Sequence, residues 1–316
     1  MIVGVSPAIR HAVIVAERYA RTNLPVLLVG ATGTGKELFA QHIHNRSGRP
    51  GPLVDVNCCA LPREMVESLL FGHRRGAFTG AIDSVVGHVE RSDRGTLFLD
   101  ELGSLAPDAQ GKLLRVLETG DVQPLGSSTK RRVDLRVVSA AQDDIRDALK
   151  NGRFRRDLFQ RMAGVVIDLP PLVERMEDVV LIAEHVAEAN GKTLDPGVRS
   201  VLEHHSWPGN VRELRFVIER ASHLVRNGTV SPAAVSEALA MGQEPVGQER
   251  SLQDVIAAGV ATGWHAARMA VALRIHRATL FRRLSHDGLT LRSLRESHGS
   301  RDSRATGATL GAGLDS

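Results

Sequence analysis

An α/β core built on a parallel sheet, then an all-helical lid, then a separate small helical unit is the architecture this sequence predicts, and three observations carry it. Short apolar runs alternate with helix-period patterns through roughly the first 170 residues, as parallel strands joined by crossover helices require. From Glu174 to about Ala240 the helix patterns continue with no intervening strand. A third helical pattern follows the Gly-, Pro- and Gln-containing stretch 241–250. The division is 1–172 for the α/β part, 173–240 for the lid, 241–250 for a linker, 251–296 for the last unit and 297–316 for a disordered tail rich in Gly, Ser, Thr and Ala.

Val26–Val29, Leu97–Leu99, Leu135–Val138 and Val165–Ile167 read as strands, each ending at a glycine, an acid or a small polar residue. Those carboxyl ends are where an open α/β sheet binds its ligands. In the lid, one helix spans Glu177 to Ala189, a second opens at Pro196 and a third follows Pro208-Gly-Asn210. A fourth begins at Ser231-Pro232, a cap followed by proline at the first helical position. No internal repeat is present.

The 316 residues are 42% hydrophobic and 24% charged, which excludes a disordered or collagen-like chain. Aromatic residues at 3% argue against an aromatic sheet that stacks bases and against a carbohydrate groove. The two cysteines, Cys58 and Cys59, are adjacent and supply neither a staple nor a four-ligand metal site; they read as small residues in or after a buried strand. No apolar run approaches the length of a membrane span and no leader is visible, so a cytoplasmic, membrane-free location is expected.

Gly30-Ala31-Thr32-Gly33-Thr34-Gly35-Lys36-Glu37 lies between a strand and a helix start, the context of a nucleotide-binding phosphate loop. Glycines let backbone N–H groups wrap the phosphates, and Lys36 reaches the β and γ oxygens. The general pattern has Ser or Thr after the lysine to help hold Mg²⁺; Glu37 stands there instead. Asp100-Glu101 closes the strand Gly95 to Leu99. This pair places Asp100 to hold Mg²⁺ through water and Glu101 to activate an attacking water, making ATP and Mg²⁺ the expected cofactors. A Gly-rich turn with a surface lysine and a strand with a solvated acidic end are the plainer alternatives.

Between these halves the sequence Gly76-Ala77-Phe78-Thr79-Gly80-Ala81 reads GAFTGA, and with it the chain resembles the bacterial enhancer-binding proteins, AAA+ ATPases that activate sigma-54 RNA polymerase. The resemblance runs from Gly4 to about Leu284. It implies an AAA+ core in which GAFTGA touches sigma-54. The glycines flank one bulky apolar residue, so Phe78 is expected on a flexible tip unless it folds back into its own core. By the same resemblance Asn57 holds Glu101 in a waiting rotamer. Arg155 and Arg161 act across a subunit boundary of a hexameric ring, where such a finger is worth roughly 10³ to 10⁵ in rate. Six residues are about 600° of helix, so these two are expected on different faces. Arg212 reaches from the lid to the nucleotide; its alternative is a surface ion pair with Glu213 or Glu219. Four positions depart from the family: Gln142 ends the first sensor, Pro124 replaces an arginine, Leu69 replaces an acid and Val173 replaces an arginine. They put nucleotide sensing in question without removing a catalytic group.

Residues 268–284 resemble the Fis-type helix-turn-helix that closes this family, with Arg274 where a turn glycine is usual. Seven arginines between Trp264 and Glu296 face only Asp287 and Glu296, a net +5 inside a total of +4, so the rest of the chain is near neutral. Enhancer DNA is the implied partner, read by Arg274, His276, Arg277, Thr279, Arg282 and Arg283. A basic hairpin for oligomerisation is the alternative. The expectation is a sigma-54-dependent activator with no N-terminal regulatory domain, controlled by a regulatory protein in trans, by expression level or by a mixed ring. A DNA-binding regulator with an assembly or nucleotide-sensing core is the second reading; a helicase or clamp-loader relative is disfavoured because those lack GAFTGA.

Overall fold

Pro7 at the first helical position, behind a Ser6 hydroxyl that accepts the Ile9 N–H, starts the helix that covers one face of the sheet. The computed structural model describes residues 2–142, 144–226, 228–242 and 252–262, with Trp264, Met269, Leu284, Leu289, Thr290 and Leu294. It falls into two units, Met1–Ala240 and Met241–Ser316.

In chain order the first unit contains α1 (Pro7–Ala20), β1 (Val26–Val29), α2 (Lys36–Ser47), β2 (Leu53–Asn57), α3 (Val66–Phe71), α4 (His88–Arg91) and β3 (Thr96–Asp100). There follow α5 (Pro107–Thr119), the hairpin β4 (Asp121–Val122) and β5 (Arg131–Arg132), β6 (Arg136–Ala141), α6 (Asp144–Lys150), α7 (Arg156–Met162) and β7 (Val165–Asp168). The lid comprises α8 (Glu177–Ala189), β8 (Thr193–Leu194), α9 (Val198–His204), α10 (Asn210–Leu224), β9 (Thr229–Val230) and α11 (Pro232–Gly242). The second unit contains α12 (Leu252–Thr262).

The main sheet is parallel throughout, in the order β2-β3-β6-β1-β7. Side chains alternate between its faces. Leu27, Leu97, Leu99 and Val137 pack with Phe71 of α3, Leu113 of α5 and Leu158 of α7, while Val26, Leu28, Phe98 and Val138 pack with Ala16 of α1 and Phe39 and Ile43 of α2. Helices on both faces give the doubly covered sheet that near-continuous apolar strands demand. The lid closes its own core on Trp207, Leu214, Val217 and Ile218. In the second unit Val255, Ala258, Met269, Leu284 and Leu294 share a cluster.

Two expectations are corrected. The lid is not free of strands: Thr193–Leu194 pairs in parallel with Thr229–Val230. Two residues per strand leave no periodicity to read. The sheet also has a fifth strand, Leu53–Asn57, ahead of Cys58 (buried) and Cys59 (exposed). It is an edge strand whose Asp55 and Asn57 face out, which hides its apolar pattern. Among the described residues no helix is long and apolar enough to cross a membrane.

Candidate nucleotide site and the GAFTGA loop

Because the strands run parallel, their carboxyl ends deliver Gly30, Asp100 and Gln142 to one edge. The Gly30 N–H donates to Ala141 O at 3.2 Å, fixing the loop's root. Gly33 and Gly35 both have positive φ, +79° and +105°, and Lys36 opens the 12-residue α2. The Lys36 ammonium lies over the loop, donating to Gly30 O at 2.8 Å and Ala31 O at 3.0 Å. The Thr34 hydroxyl is turned back onto Ala31 O at 2.9 Å. A lysine and backbone N–H groups at a helix start form an anion site.

A cavity of about 340 Å³ joins Thr32, Gly33, Gly35, Lys36 and Glu37 to Asp100, Glu101, Gln142 and, from the lid, Arg212. Asp100 accepts the Glu101 N–H at 2.9 Å, and Glu101 has φ +52°, ψ +48°, a left-handed conformation that costs a non-glycine residue roughly 1–3 kcal/mol. That strain directs a carboxylate into the cavity and is invisible in sequence. Burial, then the carboxylates of Asp100 and Glu101, push the Cys58 thiol up to about 12. Burial raises the Asp55 carboxyl, with Glu37 and Asp100 adding to it. Asp55, Asp100 and Glu101 thus stand near one another at the ends of β2 and β3, carboxylates a cation could face. Among the described residues no three metal-ligating side chains cluster. The carboxylates of Asp100 and Glu101 beside the phosphate loop fit Mg²⁺, which is held by one or two carboxylates plus substrate phosphates and waters rather than by a protein cage.

Asn57 pairs in register with Asp100, but its Oδ1 accepts the Cys59 and Ala60 N–H groups at 2.9 and 3.2 Å. No hydrogen bond joins it to Glu101 among the described residues. Arg212 lines the cavity and forms no ion pair with Glu213 or Glu219, which engage His205 and Arg215. A second recess of about 270 Å³ abuts the first, with Ile2, Val3, Ile9, Phe39, Ile182 and Val211 on its walls. Sequence reasoning missed Asn210 and Arg175. Asn210 donates to Thr32 O and Arg175 to Thr34 O. In sequence, Pro208-Gly-Asn210 reads as a helix start within the segment that resembles the second sensor, and nothing there gives Asn210 a contact of its own.

Neither Arg155 nor Arg161 lines that cavity. Arg155 precedes α7 in extended conformation, so a helical angle between the two does not apply; this corrects the expectation of two faces of one helix. Its guanidinium chelates Asp157 at 3.0 and 2.7 Å, a pair that holds the Asp157 carboxyl down at about 2, while Arg161 donates to Leu117 O at 3.1 Å.

Gly76 to Ala81 forms a tight turn closed by Gly76 N–H to Ala81 O and Ala81 N–H to Phe78 O, at 2.9 and 3.0 Å. Gly76 and Gly80 have φ of +78° and +97°. Phe78 stays 41% exposed but rests edge-on against the His73 ring, centroids 5.0 Å apart, and His73 in turn bonds Ser68. The tip is therefore part-docked, between the two alternatives read from sequence. Ile82, Val85 and Val86 extend the exposed apolar surface, Ile82 at 76%. Arg274, His276, Arg277, Thr279, Arg282 and Arg283 lie outside the described residues.

A phosphate loop at a strand–helix junction, with a helical lid leaning on it, defines an AAA+ nucleotide-binding module. Residues 173–252 match the AAA+ ATPase lid domain. Residues 2–168 match the sigma-54 interaction domain, and the chain belongs to that family. It is 48% identical over 229 residues to the nitric oxide reductase transcription regulator NorR2 of Cupriavidus necator, which covers 70% of this chain and 44% of that protein. With the anaerobic nitric oxide reductase transcription regulator NorR of Citrobacter koseri it shares 47% over 244 residues, 75% of this chain and 48% of the relative. The chain thus spans about half the length of these curated relatives. Brucella abortus NtrX in complex with ATP superposes with a TM-score of 0.67 at 30% identity, covering 91% of this chain and 69% of that one. The Thermotoga maritima RuvB Holliday junction branch migration motor, at 15% identity and TM-score 0.54 over 94% of this chain and 88% of that one, shares the fold.

Proposed function

We propose that this chain hydrolyses ATP to activate sigma-54 RNA polymerase, with a GAFTGA loop that acts on the polymerase holoenzyme and a C-terminal segment that reads enhancer DNA. The observation that carries the proposal is the chain path. The connection from β2 to β3 leaves the carboxyl edge of the sheet at Asn57, in register with Asp100, presents Gly76–Ala81 midway and returns to the cavity as Asp100–Glu101. One crossover thus links the reacting end of the site to an exposed apolar turn.

In this reading the loop N–H groups and Lys36 bind the phosphates, and the apolar recess takes the adenine. Mg²⁺, when bound, neutralises phosphate charge, and Asp100 is the residue that would hold it through water. Glu101 accepts a proton from the attacking water. Arg212 contacts the γ-phosphate from the lid, while Arg155 and Arg161 serve a neighbouring protomer's nucleotide in a hexameric ring. Asn57 acts on Glu101 only after its Oδ1 leaves the turn it caps. For Arg155, service in trans means exchanging Asp157 for phosphate. Arg277 and Thr279 contact bases, with Arg274, His276, Arg282 and Arg283 on the duplex around them.

The test is promoter opening with sigma-54 holoenzyme, enhancer DNA, ATP and purified protein. Permanganate-reactive promoter DNA that depends on ATP is the expected result. ATP hydrolysis without opening would sink the activator reading. It would favour the second reading, a DNA-binding regulator with a nucleotide-sensing core, for which Gln142 in the cavity wall is the supporting observation.

A further inference from the structure

Three consecutive carbonyls of the phosphate loop accept hydrogen bonds from the lid side. Asn210 Nδ2 donates to Thr32 O at 2.9 Å, the Arg212 N–H to Gly33 O at 3.3 Å and the Arg175 guanidinium to Thr34 O at 3.0 Å. A trans peptide unit points its C=O and the next residue's N–H to opposite sides. Turning carbonyls 32, 33 and 34 onto the lid therefore turns the N–H groups of Gly33, Thr34 and Gly35 away from it. The Thr34 N–H makes only a long turn bond to Ala31 O, 3.4 Å, and those of Gly33 and Gly35 have no protein partner among the described residues.

Both side chains in this contact are buried, Arg175 to 2% exposure and Asn210 to 4%. Asn210 has φ +54°, and its Oδ1 accepts the Leu172 N–H at 2.7 Å, so one carboxamide spans the junction of core and lid. Arg175 lies 4.0 Å from Asp178, and its Nε has no partner. The carboxylate of Asp178 is taken up by the Val5 N–H, the Ser6 N–H and the Ser6 hydroxyl, at 2.6, 2.9 and 2.7 Å. The guanidinium's firm bond is thus the one to the phosphate loop.

We propose that Asn210 and Arg175 are positioning residues of the nucleotide site: they aim the loop's N–H groups by holding its carbonyls, so lid position and phosphate affinity form one coupled equilibrium. The proposal rests on the nucleotide-binding reading above. Coupling is reciprocal, so a bound phosphate tightens the lid contact and a loosened contact weakens the phosphate.

The test uses the full chain carrying Asn210→Asp, which is nearly isosteric, keeps the acceptor for Leu172 and sets a carboxylate oxygen against Thr32 O. Amide hydrogen exchange without nucleotide reads the contact through Arg212, whose N–H is bonded to Gly33 O. Faster exchange at Arg212 by about tenfold or more, with Leu172 and β6 unchanged, is expected. ADP affinity should fall by about 10- to 100-fold, and KM for MgATP should rise by a similar factor with kcat changed less than about threefold. Arg175→Lys should fall between wild type and Arg175→Gln in both readouts, and it serves if Asn210→Asp does not fold. Unchanged exchange at Arg212, or equal acceleration across β6, overturns the proposal. Wild-type protein that binds no ADP refutes the nucleotide-site reading instead, while Arg212 exchange still decides the contact.

Discussion

Replacing Gly33 with alanine, beside the same change at Gly35, measures how closely the lid approaches the phosphate loop. A Cβ on Gly33 would lie 2.3 Å from the Gly209 carbonyl oxygen and 3.1 Å from Arg212 Cβ; one on Gly35 meets nothing within 4 Å. Both positions have positive φ, so each variant carries a left-handed penalty of about 1–3 kcal/mol. Gly33→Ala must also displace lid backbone, an overpacking cost of about 1–3 kcal/mol. Loss of the 3.3 Å bond from Arg212 to Gly33 adds about 0.5–1.5 kcal/mol. Gly33→Ala should therefore be the more destabilising by about 1.5–4.5 kcal/mol, the sum of those two ranges. The chain has 2 tryptophans, and Trp207 is buried in the lid core, so urea unfolding followed by Trp207 fluorescence in a Trp264→Phe background reads the relevant unit. Equal destabilisation by the two variants, or a larger effect at Gly35, would refute the close approach.

Glu101→Gln should lower ATP turnover by about 10²- to 10⁴-fold and leave ADP affinity within about threefold, measured by phosphate release and calorimetry. Loss of both would make Glu101 a structural residue. Thr79→Ala should retain hydrolysis and lose open-complex formation; parallel loss would show that the turn only supports the fold. His44 bonds Thr96 Oγ1 at 2.9 Å, and burial, with Arg49 beside it, lowers its pKa from 6.5. The fold favours neutral His44, so its stabilising contribution is complete above pH 6.5 and is lost as pH falls through the lowered value. The Trp207 unfolding midpoint should drop as pH falls below 6.5, and His44→Gln should flatten that slope.

The nucleotide edge was legible because its chemistry is local. Val26–Val29 ends at Gly30 and the strand Thr96–Asp100 ends at its own acid, so an apolar run and the residue after it suffice. Leu53–Asn57 was not legible: as an edge strand it buries only Val56 fully, and Asp55 and Asn57 break the run. Arg136, the charged residue inside the run Leu135–Val138, heads β6 buried, with its guanidinium on the carbonyls that end α1, a partner that no strand pattern reveals. Burial brings its pKa down to about 10, the electrostatic cost of a cation without a carboxylate.

What sequence did not reveal is which elements meet. Asn210 bonds Thr32 across 178 residues and Arg175 bonds Thr34 across 141, and neither partner leaves a trace in periodicity, since a helix start looks the same whether or not its asparagine reaches another subdomain. The same limit explains Phe78. Gly76 and Gly80 announce a turn locally, but the docking of Phe78 on His73 depends on Ser68 holding that ring, a packing outcome rather than a pattern. Local sequence thus encodes the groups proposed to meet the nucleotide. The groups that decide when those are well aimed are set by tertiary contact, and there a variant such as Asn210→Asp separates the two contributions.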